Sequence, residues 1–209
     1  MRFSDRRDAG RQLADRLQRY VGRDDVTVLA LPRGGIPVAR EVSHALGAPL
    51  DVFVVRKLGV PGHEELAMGA LASGGAASVN RDVVDALGIS DDVLLSVARS
   101  EAAELERRER LYRAGRPPLD VRGRTVIVVD DGLATGSTMQ AALAALRQLG
   151  PQRIVVAVPV APPSTCREIG AQADDVVCVE TPEPFFGVGQ FYQDFSQTSD
   201  DEVQEALRP

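Results

Sequence analysis

The chain has 209 residues, 44% hydrophobic and 26% charged, which suits one soluble globular domain with a sizeable core. Its formal net charge of −6, from 30 acidic and 24 basic side chains, argues against a protein that grips nucleic acid through its overall field. The opening MRFSDRRDAGRQL is charged where a secretory signal needs an apolar run, and no apolar stretch approaches the roughly 20 residues of a membrane helix, so neither export nor membrane insertion is expected.

In chain order, Leu13 and Leu17, flanked by Ala9 and by Tyr20 or Val21, predict an N-terminal helix over about 5–21. VTVLAL (26–31) is a β-branched run bounded by Asp and Pro, the pattern of a buried strand. The turn LPRGG follows, and Pro37 suits the opening of a helix that ends near Gly47. DVFVVR (51–56) predicts a second buried strand. From about 58 to 124 the alternation breaks. That segment holds the Gly-rich GALASGGAA and then SVARSEAAELERRERLYRAG, a solvated helix with ion pairs at four-residue spacing such as Glu104–Arg108. TVIVV (125–129), IVVAVPV (154–160) and DVVCV (175–179) complete five strands, with helices at 138–149 and 163–173.

Continuous apolar strands alternating with helices describe an α/β fold, a parallel five-stranded sheet with helices on both faces. Residues 1–209 read as one domain. It carries an insertion at about 76–118 and a C-terminal hood segment at about 181–199, where five of the nine Phe and Tyr residues gather. Cys166 and Cys178 are the only cysteines. Without CxxC spacing or clustered histidines they predict neither a zinc site nor a disulfide framework, and a reduced cytoplasmic setting is expected.

The chemistry concentrates in VIVVDDGLATGST (126–138). Asp130 and Asp131 stand at the carboxyl end of a parallel strand, where open α/β sheets bind ligands. The small residues of the following turn let backbone N–H groups converge, and a helix N-terminus adds partial positive charge. Thr135, Ser137 and Thr138 add hydroxyl donors, which makes the turn a phosphate cradle. The paired carboxylates suit a vicinal diol such as that of ribose. Together these features describe a ribose 5-phosphate.

VDDGLATGSTM (129–139) resembles the phosphoribosyl pyrophosphate (PRPP) motif of the type I phosphoribosyltransferases, and is similar in particular to the adenine-using members. The resemblance implies that Asp130 and Asp131 hold the ribose hydroxyls and that Ala134, Thr135, Gly136, Ser137 and Thr138 hold the 5′-phosphate. LPRGG (31–35) is similar to the family's pyrophosphate loop, which gives that role to Arg33, Gly34 and Gly35. RKLGVPG (56–62) resembles the Arg-Lys stretch of adenine phosphoribosyltransferases and adds Arg56 and Lys57. Lys57 joins the two aspartates in the implied catalytic set. The resemblance covers roughly 26–66 and 120–180.

The implied reaction transfers phosphoribosyl from PRPP to a nitrogenous base with release of pyrophosphate, a step of nucleotide salvage. Mg²⁺ is the expected cofactor, held largely by substrate oxygens with no protein side chain assigned to it. The family closes a mobile loop over the site, here about 58–75, where His63, Glu64 and Glu65 suit either proton transfer or plain exposure. Ala134 replaces the acid of 6-oxopurine-using members, and AVPVAPPST (157–165) lacks their Lys. Both departures weigh against hypoxanthine and guanine and leave adenine or uracil, with a purine as the reading taken. FFGVGQFYQDF (185–195) is loosely similar to a purine-pocket segment, which implies Phe186, Val188, Phe191 and Asp194 as base contacts; a clamp on the core edge explains the same residues. The insertion predicts a helical flap, and its helix 91–113 also suits a contact in a homo-oligomer. The alternative function is a PRPP sensor of the same fold that regulates rather than catalyses.

Overall fold

The computed structural model describes residues 2–113 and 115–207. In chain order the elements are α1 (Arg6–Asp15), β1 (Val26–Ala30), α2 (Gly35–Leu46), β2 (Leu50–Val52), β3 (Val55–Val60), β4 (His63–Ala72), β5 (Ala76–Val79), α3 (Arg81–Leu87), α4 (Asp91–Arg113), β6 (Thr125–Val129), α5 (Ser137–Gln148), β7 (Arg153–Val160), α6 (Pro163–Gly170), β8 (Asp175–Glu180) and α7 (Asp200–Ala206).

A five-stranded sheet runs in the order β2-β1-β6-β7-β8, every pair parallel. All residues of β1 and β6 are buried, as the unbroken Val/Ile/Leu runs require of strands covered on both sides. Successive side chains divide between two cores. Val26, Val28, Ala30, Ile127 and Val129 pack with Leu13 of α1, with Leu17 just beyond it, and with Ile36, Val38 and Val42 of α2. Leu29, Val126, Val128, Val156 and Val158 pack with Met139, Leu143 and Leu146 of α5 and with Ile169 of α6. Each fully buried Leu or Ile contributes about 1.5–3 kcal/mol, so the two cores hold the central strands rigid.

α2 leaves β1 toward one face, and α5 leaves β6 toward the other. The connections after two adjacent strands therefore diverge, and a crevice opens beyond the carboxyl ends of β1 and β6.

Several expectations need correction. The run DVFVVR is not one strand. It pairs in the main sheet only as Leu50–Val52; the Phe53 amide still reaches the Ala30 carbonyl at 3.0 Å, and then Val54 exchanges bonds with Ser73 as the chain turns into β3. Arg56 and Lys57 consequently lie within β3, not at the end of a main-sheet strand.

The stretch 58–75 is mostly an antiparallel hairpin, β3 with β4, to which β5 adds a third strand. Gly62, at φ +81°, makes its turn. Leu58, Val60, Met68, Val84 and Leu94 form a separate small core between the hairpin, α3 and α4, which is why a Gly-rich segment is ordered. The insertion thus begins with a strand before it becomes helical.

The N-terminal helix stops at Asp15, and a 3₁₀ turn over Gln18–Tyr20 carries Tyr20 into the core. The helix expected to 173 ends at Gly170. In α4, Arg108 Nε donates to Glu104 at 2.7 Å, the pair expected from spacing.

Candidate active site

The loop after β6 lies against the loop after β1. The Leu31 amide donates to the Val129 carbonyl at 2.9 Å, which draws residues 31–35 alongside Asp130 and Asp131. Both glycines of that loop are there for lack of bulk. A Cβ on Gly35 would lie 2.7 Å from the Val129 carbonyl oxygen and 2.9 Å from Asp130 Cα. A Cβ on Gly34 would lie 2.6 Å from Asp131 Cγ, and nearer still to its Oδ2. The Pro32–Arg33 peptide bond is cis.

The two acids differ. Asp130 Oδ1 accepts from the Asp131 amide at 2.8 Å, and burial, helped by the neighbouring Asp131 charge, pushes its carboxyl well above the ordinary range. Asp131 Oδ2 accepts from Arg6 Nε at 2.8 Å. Burial raises Asp131 too, and the Arg6 guanidinium works against that rise.

Arg6 is itself fixed on three sides. It donates to the Ser196 carbonyl at 2.6 Å, lies 4.0 Å from the centre of the Phe195 ring, and opens α1 behind the Asp5 cap. Phe195 packs on Tyr192, whose hydroxyl donates to the Asp131 carbonyl at 2.6 Å. Arg6, Phe195 and Tyr192 thus form a closed brace on Asp131. Sequence reading missed Arg6 and Tyr192. Each lies far along the chain from the motif, and no local spacing marks either one.

Beyond the acids, Ala134, Thr135, Ser137 and Thr138 are exposed, whereas Gly136 is buried. Gly136 caps α5 at φ +74° and has no side chain to bond the first amides of the helix, which also lack intrahelical carbonyl partners. The Thr135 hydroxyl lies 3.4 Å from both the Ser137 amide and its hydroxyl. Thr165 of α6 buttresses the turn from below: its hydroxyl donates to the Ala134 carbonyl at 2.8 Å, and its methyl occupies the space a Gly136 Cβ would need, 2.9 Å away. Thr165 is a third contributor that the motif alone does not reveal.

Each nearby cation has a carboxylate partner. Arg33 is 3.8 Å from Asp200, which also accepts from Tyr112 at 2.6 Å. Burial and that bond push the Tyr112 hydroxyl up to about 12. Arg56 Nε donates to Glu101 of α4 at 2.6 Å, and Lys57 donates to the Glu65 carbonyl at 3.2 Å with its carboxylate 3.8 Å away.

The C-terminal aromatic segment folds over the same end of the sheet. Val188 lies against the acid loop, its Cγ1 2.6 Å from where a Gly132 Cβ would stand. The Phe191 ring stacks on Phe185 at 5.2 Å, and both pack with Phe3, Val160 and Tyr192. Phe186 is 86% exposed, and Asp194 accepts from the Ser196 amide at 2.9 Å. Val188 and Phe191 pack on the sheet edge, and Phe186 has a free ring face. His63, Glu64 and Glu65 are exposed on the hairpin tip. A cavity of about 1010 Å³ opens at the opposite end of the sheet, where Asp51 engages Arg113 and Arg116, and Arg124 bonds Thr27.

Among the described residues no helix is long and apolar enough to cross a membrane. The family model described as phosphoribosyl transferase domain matches residues 5–195. A Mycobacterium tuberculosis protein provisionally named a phosphoribosyl transferase is 49% identical over 201 residues, 96% of this chain and 45% of that protein. The chain therefore spans somewhat under half the length of that curated relative. The Bifunctional protein PyrR of Chloroflexus aurantiacus is 34% identical over 129 residues, 60% of this chain and 65% of its own. The crystal structure of the protein TT1426 from Thermus thermophilus has a TM-score of 0.89 at 43% identity, covering 99% of this chain and 98% of that one.

Proposed function

Because this chain belongs to the phosphoribosyl transferase family, we propose that it transfers 5-phosphoribosyl from PRPP to a nitrogenous base, a purine, and releases pyrophosphate. The observation that carries the reading is the juxtaposition of a helix N-terminus whose cap residue has no side chain and a braced pair of half-buried acids. One half suits a phosphate and the other a cis-diol, the two ends of a ribose 5-phosphate.

In this mechanism the first amides of α5, with Thr135, Ser137 and Thr138, anchor the 5′-phosphate, and Asp130 and Asp131 orient the ribose. With both ends of the sugar fixed, the anomeric carbon is presented to the base in a defined orientation. As the bond to pyrophosphate breaks, positive charge grows on the ring, and the acids beneath stabilise it. Arg33, Arg56 and Lys57 exchange Asp200, Glu101 and Glu65 for the oxygens of the departing pyrophosphate, whose charge they neutralise. The hairpin tip excludes water from the reacting centre. Phe186 offers a ring face for the base.

Mg²⁺ is the cofactor of this proposal, carried by the substrate's own oxygens, and it would neutralise pyrophosphate oxygens. Among the described residues no group of three His, Cys, Asp or Glu side chains could hold a metal ion.

The test is direct: the protein is mixed with PRPP, Mg²⁺ and a panel of nucleobases, and pyrophosphate is measured. Release with a purine supports the proposal. Release only with uracil overturns the choice of base. Tight PRPP binding without release on any base would identify a sensor.

Arg33→Ala is expected to weaken pyrophosphate roughly tenfold or more, with much less effect on a nucleoside monophosphate, because one charge-assisted contact is worth about 1.5–3 kcal/mol. Calorimetric titration of both ligands checks this, and equal losses would remove Arg33 from the pyrophosphate site. Arg6→Ala is expected to let burial raise the Asp131 carboxyl further. The acid limb of PRPP binding then moves to higher pH, because the carboxylate forms only there. A pH series of affinities checks the shift.

A further inference from the structure

Two thiols face one another beneath the phosphate turn. Cys166 of α6 and Cys178 of β8 are free and half-buried, and their Sγ atoms are 2.9 Å apart. Both pack against the apolar core that also contains Leu133 of the turn and Ile169 of α6. We propose that Cys166 and Cys178 form a reversible intramolecular disulfide, taking a low-molecular-weight disulfide as oxidant, and that closing it weakens the phosphate turn.

The geometry asks for little. From a contact of 2.9 Å to a sulfur–sulfur bond of about 2.05 Å is a movement of less than about 1 Å, within reach of a small shift of α6 against the sheet edge. The two sulfurs are also unequal. The hydrogen bond shared with Cys178 holds the Cys166 thiol below its ordinary value against the effect of burial, and Arg167 adds to the lowering. The bond to Cys166 and then burial push Cys178 up.

Cys166 is therefore the attacking thiolate. It displaces one thiolate from the small disulfide and forms a mixed disulfide. The Cys178 sulfur, losing its proton to solvent, then attacks Cys166 and displaces the second thiolate. Two protein thiols and one small disulfide become one protein disulfide and two small thiols.

The link to the site is one residue long. Thr165 precedes Cys166 and carries both the 2.8 Å bond to the Ala134 carbonyl and the methyl packed under Gly136. Drawing Cys166 toward β8 moves the start of α6 and pulls that support from the turn. This coupling rests on the phosphoribosyl reading; the crosslink itself does not.

The experiment treats the reduced chain with glutathione disulfide, traps remaining thiols at low pH, and maps the products by mass. The expected product is lighter than the reduced chain by two hydrogens, joins the Cys166 peptide to the Cys178 peptide within one chain, and reverts with dithiothreitol. Cys178→Ser should stop at a mixed disulfide on Cys166. Persistent glutathione adducts on the unsubstituted chain, a crosslink between chains, or no reaction each overturn the site.

Ribose 5-phosphate is then titrated into both forms. A several-fold weaker affinity in the oxidised form, absent from a treated C166S/C178S variant, supports the coupling, and equal affinities overturn it. If neither form binds ribose 5-phosphate, the coupling and the reading beneath it fail together, while the mass result still decides the crosslink.

Discussion

Replacing both Asp130 and Asp131 by Asn is expected to lower PRPP affinity by at least about 100-fold and to leave the fold intact. Each carboxylate offers the ribose charge-assisted hydrogen bonds worth about 1.5–3 kcal/mol, and together these correspond to two or more orders of magnitude in affinity. Folding responds differently. Asp130 is a half-buried, desolvated acid beside a second acid, so its carboxylate form opposes the folded state and Asn relieves that. Asp131 has Arg6 as its partner, so Asn there removes one side of an ion pair that is mostly shielded from solvent. The two effects oppose one another, and the melting temperature should stay within about 3 °C. Titration calorimetry and thermal unfolding of the same preparation test both halves. A variant that unfolds, with unchanged PRPP affinity in its folded fraction, would show that the acids serve the fold and not the sugar.

The pH dependence of stability tests Asp130. The folded pKa of Asp130 is raised, so its contribution to stability is fully present below the ordinary carboxylate value and is lost as pH rises through the folded value. The unsubstituted chain should therefore lose stability as pH climbs from the ordinary carboxylate range toward neutrality. Asp130→Asn has no proton to lose there, so its advantage should be absent at acid pH and grow toward neutrality. A constant difference across that range would mean that Asp130 is not the group responsible.

The legible part of this protein is local. β1, β6 and β7 announce themselves as unbroken apolar runs because strands buried on both faces have no polar side to show. α4 is legible in its ion pairs, since residues four apart share a helix face. The acid pair and the small-residue turn after it sit in one 13-residue stretch, so both can be found without knowing the fold. The β3–β4 hairpin is obscured because its apolar residues are small or separated by glycines, and its order comes from packing on α3 and α4. DVFVVR has no breaker where it changes sheets, because the change is made by tertiary bonds from Phe53 to Ala30 and from Val54 to Ser73. Arg6, Tyr192 and Thr165 join the site only through the fold; Arg6 is 125 positions from the carboxylate it holds.

Gly34→Ala and Gly35→Ala should fail in different ways, although the two residues are adjacent and chemically identical. A methyl on Gly35 meets backbone: the Val129 carbonyl oxygen at 2.7 Å and Asp130 Cα at 2.9 Å, at the end of a strand buried on both faces. Neither atom can move without disturbing the sheet. Alanine's better helix propensity, worth up to about 1 kcal/mol at this first position of α2, offsets part of the overpacking, whose usual cost is about 1–3 kcal/mol and is at its upper end where backbone must yield. The expected outcome is a fall of several degrees in melting temperature.

A methyl on Gly34 instead meets the Asp131 carboxylate, a side chain that can rotate away. Rotation breaks the 2.8 Å contact with Arg6 and takes the acid from the position in which it would meet a ribose hydroxyl. Gly34→Ala should therefore fold and lose PRPP affinity as Asp131→Asn does. The double variant should be little worse than either single one, because both remove the same interaction. Full additivity of the two losses would mean that Gly34 acts on PRPP by some route other than Asp131. Unimpaired PRPP binding by Gly34→Ala would mean that the braced position of Asp131 is not the one in which it meets the sugar.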